Sequence, residues 1–269
     1  MTTNAQHPKS NTPQIQPSVS LIIPTYQAES FIIPHIERLE TYAQNTPIIL
    51  EIILIDDGSQ DQTPIRINQY LKTHPHTHLK FIALNQNVGK GAAIKKGVQI
   101  ASGNIVIFTD CDLPYSFSDI NALIHTLTTT QADVVIGSRM HPESVYHIRS
   151  QNLSYIYIRH TSGRLLNFLI NLFTRLHMAD TQAGLKGFTQ EAAKWCFGKM
   201  TISGFAFDID LLVCAKKNHL HIETIPLNFN YDSEMSTVSF LKHAVLMTLS
   251  VLHIVFKKLT GHYTRPSNP

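Results

Sequence analysis

Five short apolar runs mark the first half of the chain, each closed by turn-forming or acidic residues: Val19–Ile23, Glu51–Ile55, Leu79–Leu84, Ile105–Thr109 and Val134–Gly137. Apolar runs of this length, without polar alternation, fit strands covered on both faces. Between them, stretches of helical periodicity occupy Phe31–Asn45, Thr63–His74, Lys90–Ala101 and Ser118–Thr129. Strand and helix alternate, which predicts an α/β fold with a mostly parallel, doubly wound sheet flanked by helices. A later run, Ile222–Asn228, is expected to join that sheet after an insertion carrying catalytic residues. No repeat or linker-like stretch divides the interior, so residues 18–235 read as one domain between a leader, 1–17, and an appendage, 236–269.

Two of the runs end in paired carboxylates. Ile105-Val106-Ile107-Phe108 is followed by Thr109-Asp110-Cys111-Asp112, and Ile52-Ile53-Leu54-Ile55 by Asp56-Asp57-Gly58-Ser59. Acids at the strand ends of an open sheet gather at its carboxyl edge, where such sheets bind ligands. Asp110 and Asp112 repel unless a cation joins them, and Mg²⁺ or Mn²⁺ bridges such acids to substrate phosphates. A solvated turn is the plain alternative for either pair. Asn87-Val88-Gly89-Lys90-Gly91 lacks the spacing of a P-loop, so its glycines read as a tight turn into a helix whose N-terminus faces the site. Lys90 is then either a phosphate ligand or a surface lysine.

Composition narrows the class. The chain has 269 residues, of which 43% are hydrophobic and 15% charged, and a formal net charge of +3. That is enough chain for one sizeable core, with no call for a nucleic-acid partner and a mild basicity that suits anionic lipid. Three cysteines, Cys111, Cys196 and Cys214, form neither an even framework nor a C-x-x-C, which favours free thiols in a reducing compartment. Strand alternation would turn Cys111 away from its flanking acids and into the core. His74-Pro75-His76-Thr77-His78 reads as a loop rather than a zinc site, because no second cluster completes a ligand set. The leader is polar, lacks the apolar centre of a signal peptide and is expected to be disordered.

Taken in order, Pro24-Thr25-Tyr26 with Glu29, Asp56-Asp57-Gly58-Ser59, the Asn87 turn, Asp110-x-Asp112 and Gly137-Ser138-Arg139 resemble a GT-A (Rossmann-like) glycosyltransferase of family 2. Asp180-Thr181-Gln182-Ala183-Gly184-Leu185-Lys186-Gly187-Phe188 and Phe205-Ala206-Phe207-Asp208-Ile209-Asp210 are similar to its polyprenyl-phosphate branch, the dolichyl-phosphate β-glucosyltransferases and mannose synthases. The resemblance runs from about Val19 to Tyr263. It implies a nucleotide-sugar pocket lined by Pro24, Tyr26, Glu29, Asp57, Lys90, Asp110 and Arg139, and a divalent metal, Mg²⁺ or Mn²⁺, on Asp110 and Asp112. It also implies an acceptor-phosphate site with Asp180, Lys186 and Ser236, and catalytic roles for Asp112, Arg139, Asp208 and Asp210. Helical spacing allows another role for Asp208 or Asp210, as an acid at a helix N-terminus. The chain departs from the pattern at Pro114, where mannose synthases carry Gln, at Gly204-Phe205, where glucosyl relatives carry Arg-Trp, and at Ser236-Thr237 in place of Ser-Lys.

The expected activity is an inverting transfer of a hexose from UDP-glucose or GDP-mannose to a polyprenyl (dolichyl or undecaprenyl) phosphate. A phosphate acceptor is already nucleophilic near neutral pH, so the step leans on positioning rather than on a strong base. The alternatives are a soluble family 2 transferase acting on a saccharide or other hydroxyl, a metal-dependent nucleotidyltransferase, and a silent binding module. No segment offers the roughly 20 uninterrupted apolar residues of a spanning helix. Ser239–Leu259 carries Lys242, His243, Ser250, His253 and Lys257 on one strip beside a broad apolar face, and Tyr155–Leu176 mixes Arg159, Arg164 and Arg175 with apolar residues. Either stretch lies in a membrane interface or packs on the core. The expected location is peripheral, on the cytoplasmic face of a membrane.

Overall fold

The computed structural model describes residues 17–75, 77–148, 166–231 and 240–265. The expectations for most of the leader, for His76, for the first part of Tyr155–Leu176, for Ser236 and for the side chains of Lys242 and His243 lie outside the described residues.

The five apolar runs form β1 (Ser18–Thr25), β2 (Ile49–Asp56), β3 (Leu79–Ala83), β4 (Ile105–Phe108) and β5 (Val134–Ser138). The helices between them are α1 (Ile32–Asn45), α2 (Thr63–Thr73), α3 (Lys90–Ile100) and α4 (Phe117–Thr129). Local chemistry sets several starts: Pro64 lies in the first turn of α2, and Ser116 and Asp119 form a reciprocal capping box on α4. The second half contributes β6 (Val145–Ile148), a helix over 166–174 (α5), β7 (Lys186–Thr189), α6 (Gln190–Lys199), α7 (Phe207–Lys217), β8 (Ile222–Pro226), β9 (Asn228–Tyr231) and α8 (Phe240–Leu259).

Seven strands make the main sheet in the order β3-β2-β1-β4-β7-β5-β8, and only β7 runs antiparallel to its neighbours. The chain steps outward from β1 to β2 and β3, then returns across β1 to β4, so the strand order reverses at β1. Such a switch point opens a crevice at the carboxyl ends of the strands. One face of the sheet is covered by α1, α2 and α4 through residues such as Ile36, Ile67 and Leu123. The other is covered by α3, α6, α7 and α8 through Ile94, Phe197, Leu211 and Ile254. Burial on both faces explains why the strands read as continuous apolar runs.

Two expectations are corrected. The run Ile222–Asn228 does not form one strand: β8 ends at Pro226, which has no N–H to extend the ladder, and Leu227 donates to Ser144 Oγ at 2.9 Å. The chain then pairs β9 with β6 in a separate two-stranded sheet. The Asp110–Asp112 segment is a turn rather than an extended stretch, with Leu113 donating to the Asp110 carbonyl at 3.2 Å and adopting φ +46°. Alternation therefore does not place Cys111; it is half-buried against the α1–α2–α4 side of the core.

The C-terminal helix is part of this framework. Val251 and Ile254 of α8 are buried against α7, and the hydroxyl of Tyr263, just beyond the helix, donates to Asp210 Oδ1 at 2.5 Å. Among the described residues no helix is long and apolar enough to cross a membrane.

Candidate active site

The carboxyl ends of β1, β2 and β4 lie side by side because Thr25 is in register with Asp56 and Ile22 with Phe108. The turns after β2 and β4 are tied to β1: Asp57 N–H donates to the Thr25 carbonyl at 2.8 Å and Thr109 N–H to the Ile22 carbonyl at 3.1 Å. Both acidic pairs of the sequence thus reach one edge.

Asp57 is buried and accepts from the N–H groups of Val88 at 2.8 Å and Gly89 at 2.9 Å, which fastens the glycine turn to the end of β2. Burial still dominates, and its carboxyl is raised above the ordinary range. Gly89 holds φ +100°, and a Cβ there would come within 2.6 Å of the Ser203 carbonyl oxygen, so the turn requires glycine. It delivers Lys90 at the first residue of α3, where its ammonium meets Asp110 Oδ1. Lys90 is therefore not a free surface lysine: its ammonium is paired with Asp110 at the strand-end cluster.

Around that contact the structure gathers three cations and three acids. Lys186 enters at the start of β7, opposite Phe108 of β4 and Ile136 of β5, and is 0% exposed. Its Nζ donates to Asp208 Oδ1 at 2.7 Å and to the Ala183 carbonyl at 2.6 Å. Arg139, just past β5, grips Asp180 with Nε at 2.8 Å and Nη2 at 2.9 Å, and its own N–H donates to the same carboxylate at 3.0 Å. Charge sets the titration of each group. Burial raises Asp110, but Lys90, with Lys186 and Arg139 further off, outweighs it and holds the carboxyl below its usual range. Burial raises Asp180 too, and the Arg139 fork overcomes it, bringing the carboxyl to about 2. At Asp208 burial wins over Lys186 and Lys90, and the carboxyl is raised. Lys90 is held above its usual value, since Asp110 and Asp208 outweigh its own burial. Asp112 lies on the exposed side of the same turn. Cys111 between the acids is pushed up to about 12 by burial and by Asp112 and Asp110, so it stays a thiol and not a metal-binding thiolate.

Four expected site residues lie apart from this cluster or at its rim. Asp210 accepts from Thr201 N–H at 2.6 Å, Thr201 Oγ1 at 3.0 Å, Ile202 N–H at 2.9 Å and the Tyr263 hydroxyl. It is completely buried, and its four donors anchor the 201–202 loop and the Tyr263 hydroxyl, apart from the Lys186–Asp208 pair. Glu29 Oε2 accepts from Gln62 N–H at 2.7 Å and so caps the start of α2. Pro24 is buried within β1, while Tyr26 beyond it is half-exposed at the rim.

Three further residues shape the cluster, two of them, Tyr115 and His35, outside any motif of the sequence. A Cβ on Gly184 would fall 2.0 Å from Asp110 Oδ2, so this backbone is the floor on which Asp110 rests. The buried Tyr115 hydroxyl accepts from Gly184 N–H at 2.7 Å and fixes that floor. His35 Nδ1 donates to the Cys111 carbonyl at 2.8 Å and steadies the turn between the two acids. Only tertiary contact marks these residues, although Gly184 lies within a motif that the sequence shows.

The family model for glycosyl transferase family 2 matches residues 20–197. A dolichyl-phosphate beta-glucosyltransferase of Trichomonas vaginalis is 30% identical over 239 residues, covering 84% of this chain and 68% of the relative. The human dolichyl-phosphate beta-glucosyltransferase is 28% identical, covering 96% of this chain and 82% of the relative. Among solved structures, glucosyl-3-phosphoglycerate synthase of Mycobacterium tuberculosis superposes with a TM-score of 0.63 at 18% identity, covering 90% of this chain and 80% of that one. The same enzyme bound to Mn²⁺, uridine diphosphate and glucosyl-3-phosphoglycerate gives a TM-score of 0.61 at 17% identity, with the same coverage of each chain. At that identity the likeness speaks for the fold, a GT-A-like sheet flanked by helices. The family match takes in every strand that builds the charged cluster, from β1 to β7, and the chain therefore belongs to glycosyl transferase family 2, as an enzyme that transfers sugar.

Proposed function

We propose that the protein transfers glucose from UDP-glucose to dolichyl phosphate with inversion at the anomeric carbon. The carrying observation is the Lys90–Asp110 contact beside exposed Asp112, set at the carboxyl ends of β1, β2 and β4 next to the Lys186–Asp208 pair. The sugar and acceptor follow the names of the relatives, and the uridine nucleotide follows the ligands of the fold neighbours. Asp110 and Asp112 offer hard oxygen donors, and no group of three or more His, Cys, Asp or Glu among the described residues completes a protein cage. That set fits Mg²⁺ or Mn²⁺, which keeps waters and takes further ligands from substrate phosphates. Such an ion, held chiefly by Asp112, would neutralise the departing diphosphate.

The chain's own groups do the rest. Lys90 holds Asp110 in place and adds positive charge where the diphosphate leaves. Arg139 is oriented by Asp180 through Nε and Nη2, and among the described residues its Nη1 makes no hydrogen bond, which suits it to a phosphate oxygen. Lys186, locked by Asp208 and the Ala183 carbonyl, is a fixed positive charge rather than a mobile ligand. The acceptor phosphate attacks the face opposite the leaving group, which turns an α-linked donor into a β-linked product. The lipid acceptor places the reaction at a membrane surface, and the free cysteines suit its cytoplasmic side.

Purified protein should convert UDP-glucose and dolichyl phosphate to a glucosyl lipid in the presence of Mg²⁺ or Mn²⁺, and GDP-mannose should not replace the donor. Melting temperature should rise with UDP plus Mn²⁺ and not with GDP, since a ligand of the native state stabilises it. Transfer to a soluble saccharide without any lipid phosphate would overturn the acceptor assignment.

A further inference from the structure

The turn that carries Asp110 and Asp112 is strained and is held from outside. Leu113 N–H closes it on the Asp110 carbonyl at 3.2 Å, so Cys111 and Asp112 are its two central residues. Leu113 itself takes φ +46°, a left-handed backbone that a bulky side chain keeps only where its surroundings impose it. Two contacts hold it there. The Leu113 side chain is buried in the core on the α1–α2–α4 side of the sheet. The Cys111 carbonyl, in the middle of the turn, accepts from His35 Nδ1 at 2.8 Å.

His35 is a firm support for that carbonyl. It lies in the first turn of α1, between the buried Ile32 and Ile36 that seat the helix in the core. The Phe31 ring packs on the imidazole with centroids 5.2 Å apart, which restrains its rotation. A carbonyl oxygen only accepts, so Nδ1 carries a hydrogen whether the ring is neutral or charged. The bond therefore persists when the other nitrogen titrates.

We propose that His35 is a positioning residue for the divalent ion: through the Cys111 carbonyl it holds the strained turn in the form that presents Asp110 and Asp112 together. The inference rests on the reading of those acids as metal ligands and adds to it a residue of α1 that touches neither ion nor substrate. Lys90 and the Gly184 floor fix Asp110 independently, so His35 acts chiefly on Asp112, the residue that follows the held carbonyl. Two neighbouring carboxylates repel before an ion arrives, which favours opening of the turn. A tie that resists this opening spares the ordering that ion binding would otherwise have to supply. Partners that orient ligands in this way typically carry about ten- to a hundredfold of metal affinity.

Mn²⁺ titrated into the full chain with excess UDP, with free Mn²⁺ read by electron paramagnetic resonance, tests the proposal. His35→Leu should weaken Mn²⁺ binding by about tenfold or more. His35→Asn, whose amide nitrogen can take the place of Nδ1, should stay near the wild type. The Mn²⁺ concentration for half-maximal turnover should rise in His35→Leu by the same factor, with the KM for dolichyl phosphate unchanged. Tyr42→Phe removes another polar tie of α1, the hydroxyl bond to Asn121 Oδ1 at 2.7 Å, and should lower the urea midpoint without moving Mn²⁺ affinity. If His35→Leu does not fold, His35→Gln, which shifts the donor by one carbon, takes its place in the comparison with His35→Asn. Wild-type Mn²⁺ affinity in His35→Leu, an equal loss in His35→Asn, or a shift of the same size in Tyr42→Phe would overturn the proposal. A wild type that binds UDP but takes up no Mn²⁺ would instead overturn the metal reading itself, and this proposal with it.

Discussion

Asp180 and Asp208 face neighbouring cations yet titrate in opposite directions, and the difference is experimentally useful. The Arg139 fork takes Asp180 from an ordinary 3.8 to about 2 in the folded chain. A depressed carboxyl contributes stability that is complete above its unfolded pKa and is lost as pH falls through the folded one. The window is therefore from about pH 4 down to about pH 2, and the contribution is roughly 2 kcal/mol. Asp208 is raised, so it works against stability as it ionises and gives nothing to this acid limb. Asp180→Asn should lower the urea midpoint at neutral pH and flatten its fall between those limits; an unchanged slope would place the acid sensitivity elsewhere. Asp112→Asn tests chemistry rather than folding. Turnover should fall on the order of a hundredfold, about 3 kcal/mol, with the melting temperature nearly unchanged. Normal turnover at saturating Mg²⁺ or Mn²⁺ would remove Asp112 from the metal site.

At the scale of elements, the close approach of Gly184 to Asp110 gives a sharp test. Gly184→Ala forces the carboxylate off its floor and away from Lys90, so transfer should drop on the order of a hundredfold while circular dichroism stays native. Activity near that of the wild type would mean that Asp110 can move without cost. The first five strands were legible in the sequence because both faces of each are covered, leaving unbroken apolar runs. β6, β7 and β9 were not: Val145–Ile148, Lys186–Thr189 and Asn228–Tyr231 all break their apolar residues with polar or charged ones, so none reads as an unbroken apolar run. The acids of α7 show a finer limit. Asp208 and Asp210 fit the same motif equally well, but residues two apart on a helix face nearly opposite ways. One reaches Lys186 and the other holds Thr201, Ile202 and Tyr263, a division that only the placement of α7 decides. Lys90 was left between two roles for the same reason, since its partner comes from another strand.

For the molecule as a whole, α8 is structural on its inner side. Deleting Ser239 onward would uncover the surface that Val251, Ile254 and Tyr263 fill and strip the Tyr263 bond from Asp210, at a cost of several kcal/mol. The truncated chain should lose its cooperative urea transition; a cooperative, nucleotide-binding product would show that α8 is a detachable appendage. The antiparallel β7 has a consequence for synthesis. It lies between β4 and β5, so those neighbours in sequence never pair with each other, and the slot between them stays open until residues 186–189 leave the ribosome. Until then β4 and β5 both present bare edges, which invite wrong pairings and give chaperones something to shield. The late strand also carries Lys186, whose partner Asp208 emerges later still. A nascent chain can therefore bring the carboxyl ends of β1, β2 and β4 together early, yet the buried Lys186–Asp208 pair has to wait for the residues that follow β7.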